Sequence, residues 1–434
     1  MAGDRFVLLG VARPRAPWFG AVGQWAMSAA LPAEFIRCVS VEELLVRLGG
    51  VRVHSAVLVD GSLPAVDRDV LEAARQAGCV VLVVDDQRLV RDWAALGAAA
   101  VLPPTFTREA LVDALATHAP MVGRGEVRAP DEGTGGIDLS RWWGDVAAVC
   151  GAGGAGASTV AAALAQGLGE ERRYTGGVVL ADLALNGEQA MLHDVGDVVP
   201  GVQELVEAHR SGEPGPDEVR GLTFSIVERR YHLLLGLRRS RYWATLRPRS
   251  FEAGLASLRS SFGAVVCDIT ADFEGEAETG SAEVEDRNVM ARTAAGAADV
   301  VLAVGRPGVK GVHALVRVLA DLATLGVPAG RVVPVFNAAP RQPRARSELA
   351  RALATLTSPV MDGGRTASPV FLPVRRVEEA LRDAVRLPVP LPAATAGAFG
   401  AVLQRLGPST APGPCPYPVA PGSLGLGAEG QLPA

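Results

Sequence analysis

Lysine is almost missing from this chain. Of its 42 basic residues all but Lys310 are arginine, a bias that codon usage in a GC-rich genome produces. The consequence is chemical, since any site that requires a lysine has a single candidate. Cysteine is sparse as well: Cys38, Cys79, Cys150, Cys267 and Cys415 are an odd number, widely spaced, with no CxxC pair, which excludes a disulfide framework and favours a reducing compartment. The six histidines are scattered, with no HExxH pattern and no His/Cys cluster, so a structural metal is not expected. Apolar stretches such as 298–304 fall well short of the ~20 residues a bilayer span needs. The first ten residues lack the basic-then-apolar pattern of a secretory signal, and a cytoplasmic protein is expected. A net charge of −5 excludes a generally basic nucleic-acid coat.

What remains is a chain of 434 residues, 49% hydrophobic and 21% charged, long enough for two or three domains with sizeable cores. Residues 5–118 alternate short apolar runs (Phe6–Leu9, Phe35–Val39, Ala56–Val59, Val80–Val84, Ala99–Leu102) with helical stretches at Trp18–Ala30, Val41–Leu48, Arg68–Ala77, Arg91–Leu96 and Thr107–His118. Short apolar strands separated by helices predict a parallel sheet covered on both faces, and five such units suit a flavodoxin-like, doubly wound α/β domain over 1–119. The Gly- and charge-rich 120–143 reads as a linker. A second, larger α/β domain with a mostly parallel sheet follows over 144–407, with strands predicted at Val146–Cys150, Val178–Asp182, Tyr231–Gly236, Ala264–Asp268, Val300–Val304 and Val332–Phe336. Residues 408–434, rich in proline and glycine, are expected to be disordered.

The informative segment is Val146-Ala-Ala-Val-Cys150-Gly151-Ala152-Gly153-Gly154-Ala155-Gly156-Ala157-Ser158-Thr159. A buried strand runs into a glycine loop and a helix opens at Ser158 and Thr159. Glycines let successive backbone N–H groups converge, and a helix N-terminus adds about half a positive charge, which together suit a phosphate cradle. The spacing fits Gly-x-x-x-x-Gly-Lys-Ser with Gly151 and Gly156 as framing glycines, except that Ala157 stands at the lysine position. Alone, such a loop fits a tight strand–helix turn equally well. Its neighbours decide, because Asp182 ends the second strand of this domain and Asp268 the fourth. In an open parallel sheet the carboxyl ends of strands line one crevice, so loop and acids share an edge. There Ser158 can ligate Mg2+ while Asp182 and Asp268 hold its water shell.

On Gly156-Ala157-Ser158-Thr159, Asp182-Leu-Ala-Leu-Asn-Gly187 and Val-Val-Cys-Asp268, residues 145–406 resemble the MinD/ParA group of P-loop ATPases, and in particular its CpaE/TadZ-like branch. Phe371-Leu-Pro-Val with Val377-Glu-Glu-Ala-Leu-Arg-Asp-Ala-Val resembles that branch's C-terminal region. The first domain resembles a receiver domain, as TadZ-like proteins also carry, and the layout is similar to actinobacterial septum-site-determining, secretion-neighbourhood CpaE-like proteins. The resemblance implies ATP and Mg2+ as cofactors. It implies phosphate contacts from Gly151, Gly153, Gly154, Ala155, Gly156, Ala157, Ser158 and Thr159, and a catalytic role for Asp182. Asn337 matches the place where relatives of MinD read adenine, though an Asn before Ala-Ala-Pro also caps turns. Homodimerisation is implied, with septation or pilus/secretion proteins such as a secretion ATPase as partners, and recruitment through them to septum, pole or the inner face of the membrane.

The departures matter as much. The family's second, signature lysine falls at Ala152, and the second acid of its Asp-x-Asp pattern at Ala184. With both lysines missing, backbone and magnesium binding can survive but fast hydrolysis should not. The expected function is therefore a degenerate nucleotide-binding spatial regulator or scaffold with weak or absent turnover. Two alternatives stand: an active ATPase whose missing charge comes from a partner or from Lys310, and a protein-binding module without nucleotide. The first domain is expected to be a pseudo-receiver. Asp60 sits at the phosphoacceptor position, but strand one ends without an acid and Pro103-Pro104 replaces the lysine region. The arginines at 229–230 and 238–241 are expected to be a solvated loop rather than a DNA contact, and the acidic run 272–286 a flexible insertion. The segment 396–406, with one charge, is expected to pack in the core rather than anchor a membrane.

Overall fold

A computed structural model describes residues 5–122, 144–174, 176–196, 198–357, 366–383 and 385–406. In the first unit β1 (Phe6–Val11), α1 (Pro17–Met27), β2 (Ala33–Cys38), α2 (Val41–Leu48), β3 (Ala56–Asp60), α3 (Arg68–Gln76), β4 (Val80–Val84), β5 (Ala100–Leu102) and α4 (Arg108–His118) follow in turn. The strands form one parallel sheet in the order β2-β1-β3-β4-β5, the doubly wound order expected. Strands such as Ala56–Asp60 are buried along their whole length because helices cover both faces. One helix expected from the sequence does not form. Residues 93–97 make turns instead, with Trp93 and Leu96 reaching into the core while the N–H of Asp92 donates to the carbonyl of Ser211, 3.1 Å away in the second unit. Val122 is buried and pairs with Arg5, so the first unit extends past residue 119 into the segment read as linker; the rest of that segment and the tail 408–434 lie outside the described residues.

The second unit runs β6 (Asp145–Gly151), α5 (Ala157–Gly169), β7 (Val178–Leu183), α6 (Gln189–Leu192), α7 (Val202–Ser211), α8 (Pro216–Gly221), β8 (Phe224–Ile226), β9 (Tyr231–Leu234), α9 (Pro248–Ser261) and β10 (Ala264–Ile269). It continues with α10 (Glu276–Thr279), α11 (Ala282–Arg287), α12 (Val289–Ala297), β11 (Val300–Gly305), α13 (Val309–Thr324), β12 (Val332–Ala339), α14 (Pro343–Thr357), β13 (Val370–Pro373), α15 (Glu378–Arg382) and α16 (Pro390–Leu406). The sheet order is β13-β12-β11-β6-β10-β7-β9-β8, parallel except for the edge pair β8–β9. The six strands read from the sequence are all present, and β8 and β13 are additions of three and four residues. Helix α5 is buried on every side from Val160 to Leu168, between the sheet and α16. Gly167 permits that approach, since a Cβ there would stand 2.4 Å from the Pro392 carbonyl oxygen. Phe399 and Val402 of α16 are buried in the same core, as expected for a packing helix. No helix among the described residues is long and apolar enough to cross a membrane.

The acidic run 272–286 is not a plain solvated loop. It folds into α10 and α11, and Asp272 pairs with Arg287 (2.7 Å) and accepts from the Asn288 amide (3.0 Å), which gives the carboxylates local partners.

The two units meet through α3. Asp67 is buried and accepts from Arg210 (2.8 Å) and lies 3.2 Å from Arg247, while Arg68 donates to the carbonyls of His209 (2.7 Å) and Gly212 (2.8 Å). Helix α9 starts after Arg247, which has no capping side chain. Asp69 supplies the cap from the other unit, accepting from the N–H groups of Arg249 (3.1 Å) and Ser250 (3.2 Å) and from the Ser250 hydroxyl (3.0 Å). Loss of such a cap costs about 1–2 kcal/mol. Asp69→Ala is expected to lower the unfolding free energy by that amount in urea titrations at neutral pH; an unchanged midpoint would show that water replaces the cap.

Candidate functional site

The chain leaves β6 at Gly151, crosses the loop 152–156 and enters α5 through Gly156, whose φ of +88° lies in the left-handed region. Gly154 is also left-handed, at φ +77°. A Cβ on Gly156 would lie 2.3 Å from Asn337 Nδ2, so glycine is required there twice over. Gly153 and Gly154, at the crest, have no atom within contact of where a Cβ would sit, so the crest opens outward. No side chain caps the first N–H groups of α5, which leaves those of Ala157, Ser158 and Thr159 without intrahelical partners. Asn337, at the end of β12, donates from Nδ2 to the Ala155 carbonyl (2.9 Å) and accepts from the N–H of Ala338 (2.9 Å). It buttresses the loop and closes its own turn.

The acids stand beside the loop as the topology requires. β10 lies between β6 and β7, and Asp268 is directly opposite Asp182 in the parallel register. Both are buried, at 2% and 1% exposure. Asp268 accepts from the Gln189 amide (2.7 Å), and Asp182 from the Gln189 N–H (3.0 Å). Gly187 and Gly236 are wrapped round Asp182, and a Cβ on either would stand within about 3 Å of its carboxylate. Neither acid belongs to an ion pair among the described residues. Burial holds both carboxyls well above the usual acid range, and for Asp182 the facing Asp268 charge adds to it. One Asp182 oxygen (Oδ1) is buried with no hydrogen-bond partner.

Sequence reasoning did not single out Gln189. It is fully buried, its Nε2 donating to Asp268 Oδ2 (2.7 Å) and to the Ser158 carbonyl (3.1 Å), while its Oε1 has no partner. Its amide therefore sits on the acid that a cation would contact. The donor set of two buried carboxylates, one of them with an unpartnered oxygen, and one hydroxyl fits a hard divalent ion completed by water and phosphate. Among the described residues no three His, Cys, Asp or Glu side chains cluster as a metal site, so protein ligands alone do not form a cage.

From Gln189 a buried network runs away from the loop. His193 meets the Gln189 carbonyl through Nδ1 (2.7 Å), and its Nε2 faces Tyr231 Oη (2.6 Å) and Arg229 Nη1 (3.0 Å). Arg229 is not on a solvated loop, as its sequence suggested, but fully buried, donating to the carbonyls of Val385 (2.9 Å) and Ala380. With Arg229 donating to Nε2, the proton sits on Nδ1 and the ring is neutral. Burial, with Arg229 second, pushes the His193 imidazole down to about 4, and burial does the same to His209. A folded pKa below the unfolded value of about 6.5 adds stability that is complete above pH 6.5 and lost as pH falls toward 4. His193→Gln, which keeps an acceptor for Arg229, is expected to lose about 2 kcal/mol less than the wild type between pH 7 and pH 4.5 in urea titrations. Parallel pH curves for the two proteins would contradict the neutral assignment.

Lys310, on the first turn of α13, is exposed and makes no hydrogen bond to the loop. In the first unit Asp60 is buried at the end of β3, accepting from the N–H of Arg13 (3.3 Å) and from Ser62 N–H (3.0 Å) and Oγ (2.6 Å). Arg13 lies 3.8 Å from Asp60 and 3.0 Å from Asp86, a cation fixed among these acids. Cys38, Cys79, Cys150 and Cys267 are all buried.

No protein-family model matches this chain, and no curated protein matches it. Its structural neighbours are ParA/MinD family P-loop ATPases. One is a ParA family ATPase from Chlorobium tepidum, 16% identical, covering 61% of this chain and 94% of its own, with a TM-score of 0.44. Another is a Cyanothece McdA–ATP complex, 19% identical over 62% of this chain and 98% of its own, TM-score 0.41. A third is the septum site-determining protein MinD with Mg-ADP from Pyrococcus horikoshii, 18% identical over 61% of this chain and 96% of its own, TM-score 0.40.

Proposed function

We propose that this chain is a nucleotide-binding spatial regulator of the MinD/ParA type, of the CpaE/TadZ-like branch, that holds ATP–Mg2+ and hydrolyses it slowly or not at all. One observation carries the reading: two buried carboxylates, with no cation partner among the described residues, lie beside a glycine loop whose crest is open. In this reading Gly151 and Gly153–Thr159 present their main-chain amides to the phosphates. Ser158 and, through water, Asp268 and Asp182 hold the magnesium ion, with Asp182 the carboxylate placed for catalysis. Asn337, fixed against Ala155, stands where the adenine is read. Bound magnesium supplies charge neutralisation of the phosphates.

Turnover is slow because no lysine serves the loop. Ala157 and Ala152 occupy the two positions where the family has one. Positive groups aimed at a transferring phosphoryl are worth about 10³–10⁵ in rate. The first unit serves as a pseudo-receiver for protein contact, its Asp60 occupied by Arg13 and Ser62. The protein acts as a cytoplasmic homodimer that directs a septation or pilus/secretion apparatus to its place.

The test is titration of the purified protein with ATP–Mg2+ followed by a phosphate-release assay. Saturable binding with turnover far below about 1 s⁻¹ supports the reading. Turnover near that value overturns its inactive part, and no binding at millimolar ATP overturns it in favour of a protein-binding module.

A further inference from the structure

Resting on that reading, we propose that Arg306 is a phosphate-binding residue, which brings positive charge to the ground-state triphosphate on a loop that lacks its lysine. β11 lies beside β6 with Val304 opposite Gly151, so the chain leaving β11 emerges next to the glycine loop. Gly305 ends the strand, and Arg306 is the next residue. Its Nη1 reaches the Gly154 carbonyl at 3.5 Å. Among the described residues it is the only cationic side chain bonded to the loop, and no carboxylate lies within ion-pair distance of it. The guanidinium is therefore an unneutralised charge over the open crest at Gly153 and Gly154.

The backbone around Arg306 is fixed. Pro307 follows it, Gly308 turns at φ +97°, and the first turn of α13 folds so tightly over it that a Cβ on Gly311 would lie 2.1 Å from the Arg306 carbonyl oxygen. The side chain itself is exposed, and among the described residues its one hydrogen bond is that to Gly154. It is free to exchange a neutral carbonyl for an anion, and an arginine fork binds phosphate oxygens with two donors. Lys310, a turn further on, makes no such contact. Because this chain writes nearly every cation as arginine, a phosphate-facing arginine at a strand end is a chemically consistent replacement.

Calorimetric titration of ATP–Mg2+ and ADP–Mg2+ into wild type, Arg306→Gln, Arg306→Lys and Lys310→Gln decides the matter. Arg306→Gln is expected to weaken ATP binding roughly tenfold or more, as loss of one charge-assisted hydrogen bond does, and ADP binding by less. Arg306→Lys is expected to restore most of the affinity, and Lys310→Gln to leave it unchanged. Unfolding midpoints without nucleotide are expected to coincide for all four proteins, because the side chain is exposed. Wild-type ATP affinity in Arg306→Gln overturns the assignment of Arg306 while leaving the nucleotide site standing. Failure of the wild type itself to bind ATP overturns the site, and the assignment with it.

Discussion

Replacing Ala157 by lysine is expected to tighten ATP–Mg2+ binding by about tenfold to a hundredfold and to raise the rate of phosphate release. Ala157 is the first residue of α5, directly after the left-handed Gly156, and in the proposed reading a lysine there would direct its ammonium to the phosphates. A hydrogen bond to a charged group contributes about 1.5–3 kcal/mol, which sets the range in affinity. The rate is expected to rise by more than the affinity, since charge develops on the transferring phosphoryl. Parallel measurements of Kd and single-turnover rate on wild type and Ala157→Lys check both. If neither changes, the loop does not hold phosphate.

Asp268→Asn is expected to produce two effects of opposite sign. The wild type buries two facing carboxylates, both held well above the usual acid range, and among the described residues no cation faces them. Raised folded pKa values mean that the folded state binds more protons. Stability is then complete below the unfolded pKa, near 4, and is lost as pH rises through the folded values. At pH 8 without nucleotide, removing one of the two charges is therefore expected to stabilise the protein by about 2 kcal/mol, with Asn still able to accept from the Gln189 amide. In the proposed reading the same change also removes a carboxylate that holds the magnesium ion's water shell. The rise in unfolding free energy caused by ATP–Mg2+, about 2.7 kcal/mol at a ligand concentration of 100 Kd, is expected to vanish. Thermal and urea unfolding at pH 8, with and without ATP–Mg2+, reads both signs. A destabilised apo variant that keeps its nucleotide-induced shift would contradict the role of Asp268.

The sheets were legible because parallel strands buried on both faces appear as uninterrupted apolar runs, as at Val300–Val304 and Val80–Val84. Edge strands such as Phe224–Ile226 were not, because three residues carry no periodicity. The loop and its two acids were legible for a topological reason: residues at the carboxyl ends of parallel strands share one edge. Gln189 was invisible, since a glutamine carries no such signal and only the fold around Asp182 turns it onto Asp268. Arg229 was misread because its partners at 380–385 lie about 150 positions downstream, and two adjacent arginines near a strand look like surface. Arg306 did have a signal, its position one residue after a strand that borders the loop strand. Asking which arginine replaces the lost lysine, rather than which lysine remains, leads to it.

The central claim is that main-chain amides and a divalent ion hold a triphosphate on a loop that has no lysine. The most direct test is an experimental electron-density map of crystals grown or soaked with ATP and Mg2+. Triphosphate density is expected on Gly151–Thr159, with an ion beside Ser158 and the Gln189 amide displaced from Asp268. A loop with no ligand density at saturating ATP–Mg2+, with Gln189 still donating to Asp268, would contradict it.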